Sequence, residues 1–472
     1  MTNIEARLFI AGDYCESAEK KTFLLFDPAT EEAVCSVHEA GHCDVDRAVE
    51  AALTAQPGWA ATDVHTRQRA LNKLADLLDE NADKIAELDA FSIGRPVILS
   101  RAFSHFEGGG LRYVAALAGS VLGESSMLVA GQLGLTLGQP FGVCAGILPF
   151  NVPITMFCSK LGPAVAAGNA MILNSSEKSP LSAAFVAGLT REAGFPPSIV
   201  QVIAGAGETD RHLAEHPKIR KISFTGSART GKLVAMAAAQ SNLKEISLEL
   251  GEKSPFVRLL CVLALLLISV THLACCNPCT DSGQICVANS RIYVHERIRT
   301  KFLELPKSEM KQYKHGHPCG KDITLGPQAD EIQGKRVAEF LEGKCELGGT
   351  RVGDKGYFFS PRFSSTSRTT PASTARRFSA PIVRTFKDEK EVIRHANDTE
   401  YGLFASIFTT DLDRALRLTK DLEAGGISVN VAAPIFAHEI PFGGAKQNGV
   451  GREYGIDAVK RYLESVLINV AE

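Results

Sequence analysis

From Gly142 onward the chain alternates short apolar runs with amphipathic stretches, and this alternation restricts the fold more than any other feature. Gly142 to Leu148, Ala170 to Leu173, Ile199 to Ala204 and Ile222 to Phe224 read as buried strands. Between them, Thr155 to Ala167, Leu181 to Ala193 and Thr209 to Glu215 carry helical spacing. Strand and helix in this order predict a parallel sheet with right-handed crossovers, a nucleotide-binding type of architecture. Upstream, Leu71, Leu74, Leu77, Leu78, Ile85 and Leu88 predict one or two amphipathic surface helices over about Thr66 to Ala90. A second alternating region runs from Ala288 to about Asn430, with helices near Glu331 to Glu342 and Leu412 to Leu422. No internal repeat is detected.

A chain of 472 residues exceeds what one core supports, so two or three domains are expected. The formal net charge of -2 offers no electrostatic reason for a nucleic acid or an anionic membrane as partner. The longest apolar run, Leu259 to Ile268, is too short to span a bilayer. The first ten residues include Glu5 and Arg7 and contain no apolar signal core, so a cytoplasmic location is expected. The 12 cysteines are scattered without a framework, as packed thiols in a reducing compartment would be. A nucleophile among them needs a specific local setting.

Four clusters carry candidate chemistry. Ile222-Ser223-Phe224 leads into Thr225-Gly226-Ser227 and then Gly231, a strand end and helix start whose backbone N–H groups suit a cofactor pyrophosphate. The competing reading is an ordinary N-cap turn. Pro149-Phe150-Asn151-Val152-Pro153 follows a strand directly, and an Asn amide there can donate to an oxyanion, although Asn beside Pro is usually a turn residue. Glu249-Leu250-Gly251 and Gly283-Gln284-Ile285-Cys286 complete the set. A thiol opening a helix would be made nucleophilic by the dipole, but Glu249 alone reads as a surface acid and Cys286 alone as a packed thiol.

Together and in this order the clusters resemble the aldehyde dehydrogenase superfamily. The resembling text also includes Gly142-Val143-Cys144 through Pro153, Ser176-Glu177-Lys178-Ser179-Pro180 and Pro441-Phe442-Gly443-Gly444, and it covers about Phe9 to Val470. The resemblance implies a Rossmann-like parallel-sheet cofactor domain (1-122 and 140-250), an α/β catalytic domain (251-440) and a small oligomerisation β region (123-139 and 455-472). It implies NAD as cofactor, with NADP as the alternative, and a homodimer or homotetramer. Cys286 would attack an aldehyde, Asn151 would hold the oxyanion, and Glu249 would activate water to hydrolyse the thioester. Lys160 and Glu453 match positions that assist proton movement; for each, a surface charge competes. The cofactor would lie against Leu148, Pro149, Phe150, Gly205, Phe224, Thr225, Gly226, Ser227, Gly231, Leu250 and Gly251. Glu177 matches the acid that bonds the adenosine ribose hydroxyls, which leans toward NAD. Two other outcomes stay open: passing the thioester to coenzyme A, against which Glu249 argues, and a catalytically impaired homologue acting as a binding partner.

The chain also departs from the resemblance. Asn174 replaces a Lys that contacts the adenosine ribose, Glu252 replaces a Gly, and Phe150 replaces a Trp. Arg362 to Ala380 is rich in Ser, Thr and Arg without an acid, where the family carries Glu-Glu-Ile-Phe-Gly-Pro to hold the nicotinamide ribose. Codons for Ala375 to Pro381 can be chosen so that the register one nucleotide earlier spells that motif, which makes a shifted frame the favoured explanation. Arg258 to Cys279 replaces a mixed helix with an apolar run followed by His272, Cys275, Cys276 and Cys279, for which retained intron sequence is favoured. A zinc site there is the weaker alternative, because the segment lacks the turns of such sites, and no metal is expected.

Overall fold

A computed structural model describes residues 4–251, 254–258, 280–304, 313–341, 348–361, 364–365, 382–432 and 437–471. Glu252, the cysteine-rich stretch within 259–279, and 366–381 with Arg376 and Arg377 lie outside the described residues.

Five parallel strands form the centre of the first sheet: β1 (Val143–Ile147), β2 (Ala170–Ser175), β3 (Val200–Ala204), β4 (Lys221–Gly226) and β5 (Glu245–Leu250). Helices α1 (Pro153–Ala166), α2 (Pro180–Glu192), α3 (Gly207–Glu215) and α4 (Ala228–Ser241) connect them. All five residues of β1 are buried, as a strand covered on both faces must be. Fully burying a Val, Leu or Ile side chain contributes about 1.5–3 kcal/mol. Each helix start has a local cause. Pro153 and Pro180 sit in the first turns of α1 and α2, where a missing N–H costs nothing. Ser227 caps α4 by accepting from the Thr230 N–H at 3.1 Å.

The spatial order is β3-β2-β1-β4-β5, flanked by Leu8–Ile10 and then Asp13–Cys15 on one side and by Gly449–Val450 on the other, each antiparallel to its neighbour. The chain winds outward in one direction from β1 to β3 and then returns to the other side through β4. The crevice at this switch, outside the carboxyl ends of β1 and β4, is where open α/β sheets bind ligands.

A second parallel sheet contains β6 (Pro255–Arg258), β7 (Arg291–His295), β8 (Ile382–Phe386), β9 (Phe404–Phe408) and β10 (Gly426–Val429), in the order β8-β7-β6-β9-β10, with Ser364–Ser365 beyond β8. A small antiparallel sheet joins Gln132–Pro140 to Ser125–Ser126 and to the C-terminal strand Leu463–Ala471. The helical spacing before Ala90 gives two helices, Val64–Glu80 and Ala82–Ile93, divided at Asn81, whose side chain donates to the Leu77 carbonyl. No helix among the described residues is long and apolar enough to cross a membrane.

Candidate active site

The switch crevice is a cleft of about 760 Å³. Its walls include Leu148, Pro149, Phe150 and Asn151 after β1, Glu177 after β2, Gly205 after β3, and Phe224 to Ser227 at the end of β4. A smaller cavity of about 30 Å³ shares Pro149, Asn151, Thr225 and Gly226 with the cleft. It brings together Glu249, Leu250 and Gly251 from the end of β5, Cys286 from the loop before β7, and Glu453 from the C-terminal segment. Gly231 and Lys160 stand behind these walls. A Cβ on Gly231 would lie 2.4 Å from Leu250 Cδ2, so the glycine lets α4 close on β5.

Cys286 does not open a helix, contrary to the sequence expectation. It lies in a turn where the Ala288 N–H donates to the Ile285 carbonyl at 3.2 Å, and β7 begins at Arg291. The intervening residues are too few for a helix, so no macrodipole acts on the thiol. Its surroundings are instead an apolar cluster with Val287, Leu403 and Phe442. The Asn151 amide donates one N–H to the Gln284 carbonyl at 2.6 Å, tying the loop after β1 to the cysteine turn. An amide nitrogen carries two N–H donors, so the second can serve an oxygen in the cavity.

The turn before Cys286 is itself anchored. Asp281 and Ser282 both adopt the left-handed backbone region, with φ of 53° and 56°. Such residues persist only where surrounding contacts hold them. The Arg95 guanidinium grips Asp281 with two bonds, Nε to Oδ1 at 3.0 Å and Nη2 to Oδ2 at 2.8 Å, and both residues are buried. Ser282 donates to the Gly326 carbonyl at 2.6 Å. Sequence reasoning missed this anchor: Gly94-Arg95-Pro96 reads as an ordinary loop, and its partner lies 186 residues away.

Beneath the small cavity, Lys160 of α1 is fully buried, not a surface charge. Its ammonium donates to Ser223 Oγ at 3.0 Å, Thr225 Oγ1 at 2.8 Å and Glu453 Oε1 at 2.6 Å, which uses all three protons. Glu249, expected by itself to be a solvated acid, is buried too. Burial, followed by the Glu453 charge, pushes its carboxyl well above the usual carboxylate range, with Lys160 and Arg452 opposing. Oε2 of Glu249 and Oε2 of Glu453 find no hydrogen-bond partner among the described residues. A Cβ on Gly443 would sit 2.7 Å from Glu249 Oε1, which explains the glycine of the Pro441-Phe442-Gly443-Gly444 motif.

A dinucleotide fits the larger cleft on this chain's own chemistry. The α4 N-terminus presents backbone donors beside Gly226 and Ser227, where a pyrophosphate is stabilised. At the other end the half-buried Glu177 offers carboxylate acceptors to a ribose, beside the buried Asn174. Asp210, which sequence reasoning passed over, joins it there. Among the described residues no group of three or more His, Cys, Asp or Glu could hold a metal ion.

Comparison with known proteins identifies the family and the fold. Residues 14–468 match the model of the aldehyde dehydrogenase family. The chain is 37% identical to human retinaldehyde dehydrogenase 3 over 478 residues, covering 98% of this chain and 92% of that protein. It is also 37% identical to an aldehyde dehydrogenase of Alternaria alternata, covering 98% and 95%. Its structure is similar to that of the aldehyde dehydrogenase KauB from Pseudomonas aeruginosa, with a TM-score of 0.96 at 32% identity over 100% of this chain and 97% of that one. The NAD+ complex of a Bacillus cereus aldehyde dehydrogenase gives a TM-score of 0.95 at 31% identity, covering 99% and 96%. The α/β architecture, the NAD(P) cofactor class and the site-bearing motifs lead to one assignment: this chain belongs to the aldehyde dehydrogenase family.

Proposed function

We propose that this chain oxidises an aldehyde to the carboxylic acid through a thioester on Cys286 that Glu249-activated water hydrolyses. The observation that carries the reading is the single small cavity lined by Cys286, Asn151 and Glu249, sharing walls with the dinucleotide-sized cleft.

The Cys286 thiolate adds to the carbonyl carbon, forming a C–S bond and placing the electron pair on oxygen. The second N–H of Asn151 and the Cys286 backbone N–H stabilise that oxyanion, an effect worth about 10²–10³-fold for one donor. When bound, the dinucleotide supplies the two-electron acceptor for the hydride that leaves the same carbon. The carbonyl re-forms as a thioester. Glu249 then removes a proton from water, the hydroxide adds to the thioester carbon, and the C–S bond breaks to return the Cys286 thiolate. A carboxyl pushed upward by burial is a stronger base once ionised, which suits this task. The Lys160–Glu453 pair beside it offers the proton a place to go, since Glu453 has an oxygen lacking a partner among the described residues.

The same reading places the protein in the cytoplasm, with Cys15, Cys35, Cys43, Cys144, Cys158 and Cys319 as thiols. It makes the small sheet of Gln132–Pro140 and Leu463–Ala471 the oligomerisation element, with Leu137, Leu467 and Val470 exposed for a partner copy. Incubating the purified protein with a panel of aldehydes and NAD, while following NADH absorbance, tests the function. NADH formation without coenzyme A supports it; formation only with coenzyme A would replace hydrolysis by acyl transfer.

A further inference from the structure

Three consecutive glycines, Gly108-Gly109-Gly110, lie in the interior of the helix Val97–Leu117. Glycine is a poor helix former, so a run of three needs a steric cause. Gly108 lets the helix approach its neighbour: a Cβ there would lie 3.1 Å from Asp79 Oδ1 and 3.3 Å from the Ala75 carbonyl oxygen. Gly110 makes room for a ring from the C-terminal segment, since a Cβ there would lie 2.8 Å from Cδ2 and Nε2 of His438. Phe106 on the same helix stacks on that imidazole, with ring centroids 4.0 Å apart.

His438 opens a loop of chain that returns at Gly455, whose N–H donates to the His438 carbonyl at 2.7 Å. Within it Phe442 and Glu453 exchange two backbone hydrogen bonds of 2.7 Å, and both residues line the small cavity beside Cys286. The next residue, Tyr454, has φ of 60° and ψ of 174°. Only glycine adopts that region readily, so a tyrosine stays there only where its surroundings hold it. Its ring lies 5.9 Å from that of His438 and 6.4 Å from that of Phe442, and its hydroxyl donates to Glu107 Oε1 at 3.4 Å. Glu107 and Tyr454 are both buried. Burial pushes the Glu107 carboxyl well above the usual carboxylate range, with the Tyr454 hydroxyl opposing.

We propose that Tyr454, gripped by Glu107 and by the His438 ring seated on Gly110, is a positioning residue that holds the Glu453 carboxylate against Lys160 beside Glu249. The left-handed backbone at Tyr454 fixes the direction in which the chain leaves Glu453, whose Oε1 accepts from Lys160 at 2.6 Å. A backbone released from that conformation swings the carboxylate away. The proposal rests on the roles given above to Cys286 and Glu249, and it concerns hydrolysis of the thioester, not its formation.

The probe is 4-nitrophenyl acetate, which separates the two steps without aldehyde or dinucleotide. The Cys286 thiolate displaces 4-nitrophenolate and becomes an acetyl thioester, read as first-turnover absorbance; water then hydrolyses the thioester, read as the steady rate. Gly110→Ala and Tyr454→Phe are compared with wild type, each with its urea midpoint recorded. The first improves intrinsic helix propensity yet pushes the His438 ring from its seat, and the second removes one hydroxyl. First-turnover release should hold in both. Hydrolysis should slow by about tenfold in Gly110→Ala, short of the roughly hundredfold cost of a misplacement of about 1 Å, and by less in Tyr454→Phe. Glu107→Gln, which still offers an acceptor to the hydroxyl, should slow hydrolysis less than Glu107→Leu. Burial raises the Glu249 carboxyl most, the Glu453 charge adds to the rise, and Lys160 and Arg452 oppose it. A retreating Glu453 therefore leaves Glu249 more acidic, and the ascending limb of the pH–hydrolysis profile should move to lower pH in Gly110→Ala. Wild-type hydrolysis in both variants, an unmoved limb, or equal slowing of both steps would overturn the proposal and leave the cysteine chemistry standing. Wild-type protein that releases no 4-nitrophenolate would overturn both.

Discussion

Two buried charge clusters flank Cys286, and they are built differently. Behind the cysteine turn, Arg95 meets both carboxylate oxygens of Asp281, and Asp89 stands 4.0 Å from the same guanidinium. Beneath the cavity, the Lys160 ammonium has spent its three protons, yet Glu249 and Glu453 each keep one oxygen without a partner among the described residues. The first cluster is bidentate and planar, and the second is a point charge among hydroxyls and carboxylates. A guanidinium fork fixes position. An ammonium beside two carboxylates with spare acceptors leaves protons somewhere to move. The difference teaches that burial of charge has two uses here, one holding the nucleophile's turn and one keeping the base able to exchange a proton.

Substitutions that separate the two uses sharpen the comparison. The largest effect is expected for Cys286→Ala, which should abolish aldehyde oxidation while NADH fluorescence still reports binding. Next comes Glu249→Gln: steady-state turnover should fall by about 10²–10⁴-fold, the range for a general base, with the first turnover retained. An unchanged steady-state rate in stopped-flow absorbance would show that the lower cluster is structural like the upper one.

Arg95→Ala acts on the other cluster. Removing one partner of a buried pair costs about 3–5 kcal/mol, because Asp281 is left charged and buried. Burial already raises the Asp281 carboxyl, and Arg95 opposes that rise. Without Arg95 the folded-state value climbs further above the unfolded one, so the folded protein gains stability by protonating Asp281. The gap to wild type should therefore narrow as pH falls, which urea denaturation at two pH values would check. Arg95→Lys should restore part of the stability and less of the Cys286 alkylation rate, since an ammonium cannot hold the turn bidentately.

Much of the first sheet was legible before any coordinates. The apolar runs at 142–148, 170–173, 199–204 and 222–224 fall on β1, β2, β3 and β4 because strands buried on both faces have nothing else to be made of. The site-bearing motifs sit at strand ends, where open sheets place ligands. What sequence could not supply was partnership across distance. Asp210 reads as a favourable acid in the first turn of α3, and only the parallel pairing of β2 with β3, from whose end α3 starts, sets it beside Asn174. Lys160 reads as a surface charge until α1 is seen buried along its whole length. The helix expected at Cys286 failed because β7 follows too soon, a fact of chain connection that a Gly-Gln-Ile-Cys motif does not contain.

The central claim is that Cys286 carries the acyl group and Glu249 releases it. Mass spectrometry of Glu249→Gln protein, quenched in acid after one turnover with NAD and an accepted aldehyde, addresses both halves at once. The account predicts one NADH per site and an acyl adduct on the peptide containing Cys286, absent from the wild-type sample. An adduct on another residue, or a burst of NADH with Cys286 unmodified, would contradict it.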